Sequence, residues 1–195
     1  PLDPQWLERM YNNRMRVPDH GEYFARWAAQ SALARKLLTC ELDVPYGPAP
    51  RERLDAFAAP RSAGGAAPLV VFIHGGYWKA LDKSDHSFIA AALHDAGAAV
   101  VVPNYTLCPQ ASIPEITLQL ARAMAWAWRN ARRLGADPRR IAVIGHSAGG
   151  QLAAMMLACA WKVLDPALPR DLVQRAMGLS GLYDLQPLMH TPSLQ

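Results

Sequence analysis

Three observations on the 195-residue sequence predict an α/β fold with a doubly wound, mostly parallel sheet. First, "PLVVFIHGG", "AAVVVPNY" and "RRIAVIG" are apolar and rich in β-branched residues throughout, the pattern of strands covered on both faces. Second, each run is followed by a stretch with helical periodicity, and strand–helix–strand order implies parallel pairing through right-handed crossovers. Third, His74, Asn104–Tyr105, His146–Ser147 and Tyr183–Asp184 fall at the carboxyl ends of predicted strands, where open α/β sheets place their chemistry.

The elements follow in order. Residues 1 to about 38 read as helical, with a break at Pro18 and Gly21. In "EYFARWAAQSALARKLL", Tyr23, Phe24, Trp27 and Ala28 lie near one stripe, later joined by Ala34, Leu37 and Leu38. "ELDVPYG" and "RERLDAFAA" read as short strands joined by the turn "GPAP", and "RSAGGAA" (61–67) as a flexible loop. After the first buried strand, "DHSFIAAALHDAG" is a helix closed by Gly97. The helix "SIPEITLQLARAMAWAWRNARRLG" turns Ile116, Leu120, Ala123, Ala127 and Leu134 inward and Gln119, Arg122, Arg129 and Arg133 outward. "SAGGQLAAMMLACAW" is the next helix, and "QRAMGLSGLYDL" supplies a fourth strand of the parallel series. The whole is expected to be one domain, 1–195, with 1–40 a helical segment ahead of a sheet core over 41–195.

Composition narrows the function. At 51% hydrophobic and 18% charged residues the chain is globular rather than disordered. The net charge of +4 carries no dense basic block, because Arg129, Arg132, Arg133, Arg139 and Arg140 are interleaved with neutral residues around a helix end; nucleic-acid binding is not expected. Cys40, Cys108 and Cys159 fit neither a zinc site nor a disulfide framework and read as buried free thiols. No apolar run is long enough to span a bilayer and no signal-peptide pattern opens the chain, so a soluble cytoplasmic protein is the expectation.

Gly145-His146-Ser147-Ala148-Gly149 matches the nucleophile elbow G-x-S-x-G in the context it requires, after a buried strand and before an alanine-rich helix. A serine at such a turn faces the free N–H groups of the helix start, which stabilise a developing oxyanion. The rival reading, a phosphate-binding turn, lacks the lysine of a P-loop and the G-x-G-x-x-G spacing. A second glycine motif, His74-Gly75-Gly76-Tyr77-Trp78, follows the first buried strand, where a hydrolase of this build takes its other oxyanion donors. His74 reads as a brace for that loop, with general base as the alternative, and His146 as a bulky neighbour of the site. Tyr77 and Trp78 are expected to wall the acyl pocket, the alternative being plain core aromatics.

Together HGGYW and GHSAGG resemble the hormone-sensitive-lipase-like branch of the α/β-hydrolase superfamily, and within it the kynurenine formamidase (arylformamidase) group, which carries HGGYW where most esterases of the branch carry HGGG. "NYTLCPQASIPEI" resembles the segment that reads Y-R-L-A-P-E in the esterases, with departures at Thr106 and Cys108; "SGLYDLQPLMHTP" and "YNNRMRVPDHGEYFARW" also have the look of the group. The resemblance implies Ser147 as nucleophile, the N–H groups of Gly76, Tyr77 and Ala148 as oxyanion donors, and the N-terminal helices as part of a lid. It implies a small ester or aryl formamide as substrate and no metal or organic cofactor.

The order Ser147, Asp184, His190 fits a hydrolase triad, but the family's acid follows the seventh strand and its histidine the eighth, whereas Asp184 ends the sixth. "YDL" therefore reads as a structural turn and His190 as a solvent or cap residue. The expectation is a chain forming the front part of a longer protein, with the acid and histidine beyond Gln195 and an exposed sheet edge in need of a partner. A homodimer stays open. So do two other functions: a non-catalytic binding module built on the same pocket, and a thioesterase or acyltransferase using the same elbow.

Overall fold

The apolar runs form the centre of the sheet in the computed structural model, which describes residues 3–61 and 67–194. The first, β3 (Ala67–Ile73), pairs in parallel with β4 (Ala99–Pro103) on one side and β5 (Ala136–His146) on the other, Val70 opposite Val100 and Val71 opposite Val143. Because side chains alternate across a strand, each run feeds two cores. Leu69, Val71, Ile73, Val101 and Val143 join one; Phe72, Val100 and Val102 join the other. The larger core is covered by α5 (Ile113–Asn130) and α6 (Ala148–Leu157), through Ile116, Leu120, Met124, Leu152 and Met156. The smaller is covered by α4 (Phe88–Asp95), through Ile89, Ala90 and Leu93. This is the doubly wound arrangement expected. Most of the predicted loop at 61–67 lies outside the described residues.

The sheet is more mixed at one side. β1 (Cys40–Pro45) and β2 (Arg53–Phe57) form an antiparallel hairpin, and β2 runs antiparallel to β4 with Ala56 opposite Val101. The order is β1-β2-β4-β3-β5-β6, where β6 (Arg175–Leu179) is the outermost strand, parallel to β5. Every residue of β6 is exposed, Met177 included.

Three helical segments precede the sheet: α1 (Pro4–Tyr11), α2 (Asn13–Arg16) and α3 (His20–Leu37). The inward stripe of α3 differs from the one the sequence predicts. Tyr23, Ala28 and Leu37 are exposed, and the buried or half-buried line is Phe24, Trp27, Ser31, Ala34 and Leu38. A polar residue sits inside that stripe because it has a partner: Ser31 Oγ accepts the N–H of Phe88, the first residue of α4, at 3.0 Å. Arg35, one turn on, donates to Ser87 Oγ at 2.9 Å.

Other departures have equally local reasons. Gln119 is buried rather than outward, its amide accepting Thr106 N–H at 2.8 Å and donating to Thr106 Oγ1 at 3.0 Å. Arg122 reaches the buried carboxylate of Glu52. The helix expected to run through Trp161 breaks after Leu157 and resumes as α7 (Trp161–Leu164), which delivers the Trp161 ring into the core. The three cysteines are free but half-buried, not buried, since each stands at an element end or in a loop. In the arginine cluster Arg129 pairs with Asp165, Arg133 with Glu41 and Arg139 with Asp137. Among the described residues, no helix is long and apolar enough to cross a membrane.

Candidate active site

Ser147 sits at the turn between β5 and α6 with φ 55° and ψ −121°, a conformation that costs a non-glycine residue roughly 1–3 kcal/mol and needs enforcement by its surroundings. The enforcement is visible. Ser147 N–H donates to Leu179 C=O at the end of β6 (2.8 Å), and its own carbonyl accepts Gly150 N–H (2.8 Å). The flanking glycines have no room for a side chain: a Cβ on Gly145 would lie 1.9 Å from Gly149 O, and one on Gly149 would lie 2.1 Å from Ile73 O. Strand and helix therefore touch backbone to backbone, and Ala148 N–H is one of the unpaired first-turn donors of α6.

The HGGYW loop arrives beside it. A Cβ on Gly75 would fall 2.9 Å from Ser147 Cβ, so only glycine lets the loop come this close. Gly76 (φ 106°), Tyr77 (φ 51°) and Trp78 (φ 57°) form a tight left-handed turn in which Gly76 C=O accepts Lys79 and Ala80 N–H, both at 3.0 Å. Among the described residues, no carbonyl takes the N–H of Gly76 or Tyr77. Two donors from this loop and one from α6 thus stand free near one serine.

A buried scaffold holds the loop from below. His74 is fully buried and stacks on Tyr105 (4.4 Å between ring centres, 12°), whose hydroxyl donates to His74 C=O at 3.0 Å. His74 Nδ1 pairs with Gly75 C=O at 2.8 Å. Burial, with neighbouring His86 adding to it, pushes the imidazole down to about 3, so it is a neutral donor rather than a base in waiting. His86 stacks on its other face (5.6 Å, 20°) and Trp27 of α3 packs against His86 (5.8 Å). Past the loop, Asn104 accepts Lys83 N–H (2.7 Å) and donates to Asp82 (2.7 Å), while Arg51 reaches Tyr105 C=O (2.9 Å), Leu81 C=O (3.1 Å) and Asp82 (3.2 Å). The Lys83 ammonium lies 2.7 Å from both Asp55 and Asp43. Burial works against its charge, but those two carboxylates overcome it and raise the lysine above its ordinary value.

Ser147 opens into a pocket of about 440 Å³. Its walls are His146, Gly76 and Tyr77 on the sheet side, and Tyr11, Asn12, Asn13, Arg14, Phe24 and Trp27 from the three N-terminal helices. Tyr77 ties the two sides together by donating its hydroxyl to Tyr11 C=O at 2.7 Å. Trp78, expected as a pocket wall, is a correction: it is 4% exposed, belongs to the larger core and is not among the residues lining this cavity, whereas Tyr77, half-buried against the same core, does line it. His146 is half-buried with its pKa lowered by burial, edge-on to Trp27 at 6.4 Å. Asp184 is exposed and accepts its own turn's Gln186 N–H at 3.1 Å; His190 is exposed at the end of the 3-10 turn Pro187–His190. The imidazoles with hydrogen bonds, His20, His74 and His86, all address backbone carbonyls. Among the described residues, no group of three or more His, Cys, Asp or Glu is placed to hold a metal ion.

Phe24 and Trp27 had a sequence signal, their i, i+3 spacing on one stripe. Asn12, Asn13, Arg14, His86 and the Arg51–Asp82–Lys83 network had none, since their partners are distant in the chain.

Comparisons with known proteins agree with this geometry. The BD-FAE family model matches residues 54–172. Kynurenine formamidase of Danio rerio is 35% identical over 158 residues, covering 81% of this chain and 51% of its own length. That of Salmo salar is 33% identical over 191 residues, covering 97% and 62%. The chain spans about half to three-fifths of the length of these curated relatives. Among solved structures, a candidate thioesterase from Silicibacter sp. TM1040 superposes with a TM-score of 0.77 at 36% identity, covering 95% of this chain and 67% of that one. Esterase B from Lactobacillus rhamnosis, at 19% identity and a TM-score of 0.67 over 90% of this chain and 60% of its own, shares the fold. The chain belongs to the BD-FAE family and has the α/β-hydrolase fold.

Proposed function

We propose that this chain carries the nucleophile and oxyanion site of a serine hydrolase that cleaves a small carboxylic ester or an aryl formamide through an acyl-enzyme. The observation that carries the reading is Ser147, held at φ 55° on the wall of a pocket beside the free N–H groups of Gly76, Tyr77 and Ala148. Ser147 Oγ attacks the carbonyl carbon, the three N–H groups stabilise the oxyanion, and the bond to the alcohol or amine breaks as that group takes the proton; water then releases the acid. Removing one oxyanion donor in such a site typically costs about 3–4 kcal/mol of transition-state stabilisation. The base is assigned neither to His74, which is neutral and committed to Gly75, nor to His190, which stands exposed. The chemistry asks for no metal or organic cofactor. Likeness to two kynurenine formamidases favours the formamide within this reading.

Fluorophosphonate labelling of the complete protein, mapped by peptide mass spectrometry, tests it: the label is expected on Ser147 and lost in Ser147→Ala. Absence of label on Ser147 in folded protein overturns the assignment. The ratio of kcat/KM for N-formylkynurenine to that for p-nitrophenyl acetate then separates formamidase from esterase. Thioester cleavage at the same serine is the second reading, favoured by the candidate thioesterase that superposes on 95% of the chain; acetyl-thiocholine in the same assay reports on it.

A further inference from the structure

The walls of the pocket are unequal in charge. Arg14 and Lys79 line it, with Asn12 and Asn13 beside them, and no aspartate or glutamate does. The two cations differ in how far they are spoken for. Lys79 donates to Ser193 C=O and feels the carboxylate of Glu8, which itself accepts from Asn12 (2.7 Å) and Ser193 (2.9 Å). Arg14 makes no ion pair among the described residues. Arg14 is exposed, and the backbone that carries it to the pocket wall is held in place. Glu8 anchors Asn12, Asn12 Oδ1 accepts Met15 N–H at 3.3 Å to cap α2, and Tyr77 holds Tyr11 C=O, so the short helix that carries Arg14 is fixed at both its entrance and its first turn. A guanidinium presents paired donors in a plane that matches a carboxylate, and Phe24 and Trp27 line the same pocket.

We propose that Arg14 is an anion-recognition residue of this pocket, selecting ligands whose ring or acyl body carries a carboxylate over neutral ligands of the same shape. The inference rests on the pocket above Ser147 being the substrate site, as in the reading above, and deepens it by naming the group that sets charge preference. Lys79 adds to the field but is partly offset by Glu8. Arg14 carries the discrimination.

The test uses two probes of nearly equal shape, benzoate and benzamide, titrated calorimetrically into the 195-residue chain at low salt. Benzoate is expected to bind about two- to fivefold more tightly than benzamide, the yield of one exposed charge pair. In Arg14→Gln that ratio falls to about one while benzamide affinity stays unchanged, and 0.5 M salt lowers the wild-type ratio in the same direction. Lys79→Gln leaves most of the ratio in place. An undiminished preference for benzoate in Arg14→Gln overturns the proposal, because the carboxylate would then sit elsewhere, for example against the N–H groups at the start of α6. Equal binding of both probes by the wild type overturns it as well. Neither failure touches fluorophosphonate labelling of Ser147, so loss of this inference and loss of the hydrolase reading are told apart.

Discussion

Tyr105→Phe isolates one hydrogen bond under the HGGYW loop. The ring of Tyr105 is fully buried and stacked on His74 at 4.4 Å, and phenylalanine keeps both the burial and the stacking. Only the hydroxyl goes. That hydroxyl lies 3.0 Å from His74 C=O and 3.3 Å from Gly75 C=O. Gly75 C=O retains a second donor, His74 Nδ1 at 2.8 Å, whereas His74 C=O is left buried without one. Stranding one buried carbonyl costs about 1–3 kcal/mol. With a urea m-value of about 2 kcal/mol/M for a domain of this size, the midpoint falls by roughly 0.5–1.5 M at unchanged slope. Equilibrium urea unfolding followed by circular dichroism measures it. A loss below about 0.5 kcal/mol refutes the claim that this hydroxyl holds the end of β3, since it would place the cost within the range of a neutral surface change.

Two further expectations concern charge. Lys83→Met leaves the carboxylate of Asp55, 1% exposed, without its cation; the expected loss is about 3–5 kcal/mol by thermal or urea unfolding, and adding Asp55→Asn should restore part of it, so a double variant as unstable as the single one contradicts the pairing. Stability should also fall with acidification earlier than carboxylates alone would cause. His74 is held down to about 3 when folded and returns to about 6.5 when unfolded, so the unfolded chain binds a proton the folded chain refuses. The stability this group supports is complete above about pH 6.5 and is lost as pH falls toward 3, by up to about 1.4 kcal/mol per pH unit, with buried His86 acting in the same direction; a urea midpoint that stays level from pH 6.5 to 4.5 rules this out.

Local chemistry made much of the fold legible. The runs ending at Ile73 and Pro103 read as strands buried on both faces and are so, the run ending at His146 is a strand fully buried on one face and half-buried on the other, and the glycines around Ser147 announced a turn where helix and strand meet without side chains. The capping pair Ser112 and Glu115 started α5 where the sequence suggested. These features depend on residues within a few positions of one another, so sequence by itself determined them.

The tertiary structure decided what depends on partners far along the chain. Tyr77 and Trp78 are adjacent aromatics of one motif, yet one lines the pocket and the other enters the core, because the loop's left-handed backbone was set by the close approach of Gly75 to Ser147, 72 residues on. Gln119 and Ser31 turn inward against their polarity because Thr106 and Phe88 offer them hydrogen bonds. Arg14 looks in the sequence like any surface arginine; only the docking of the N-terminal helices beside the HGGYW loop brings it to the pocket that Ser147 lines. A side chain's own chemistry specifies its local conformation. Whether it becomes a wall, a brace or a recognition group is settled by which distant backbone it packs against, and that is a property of the assembled fold.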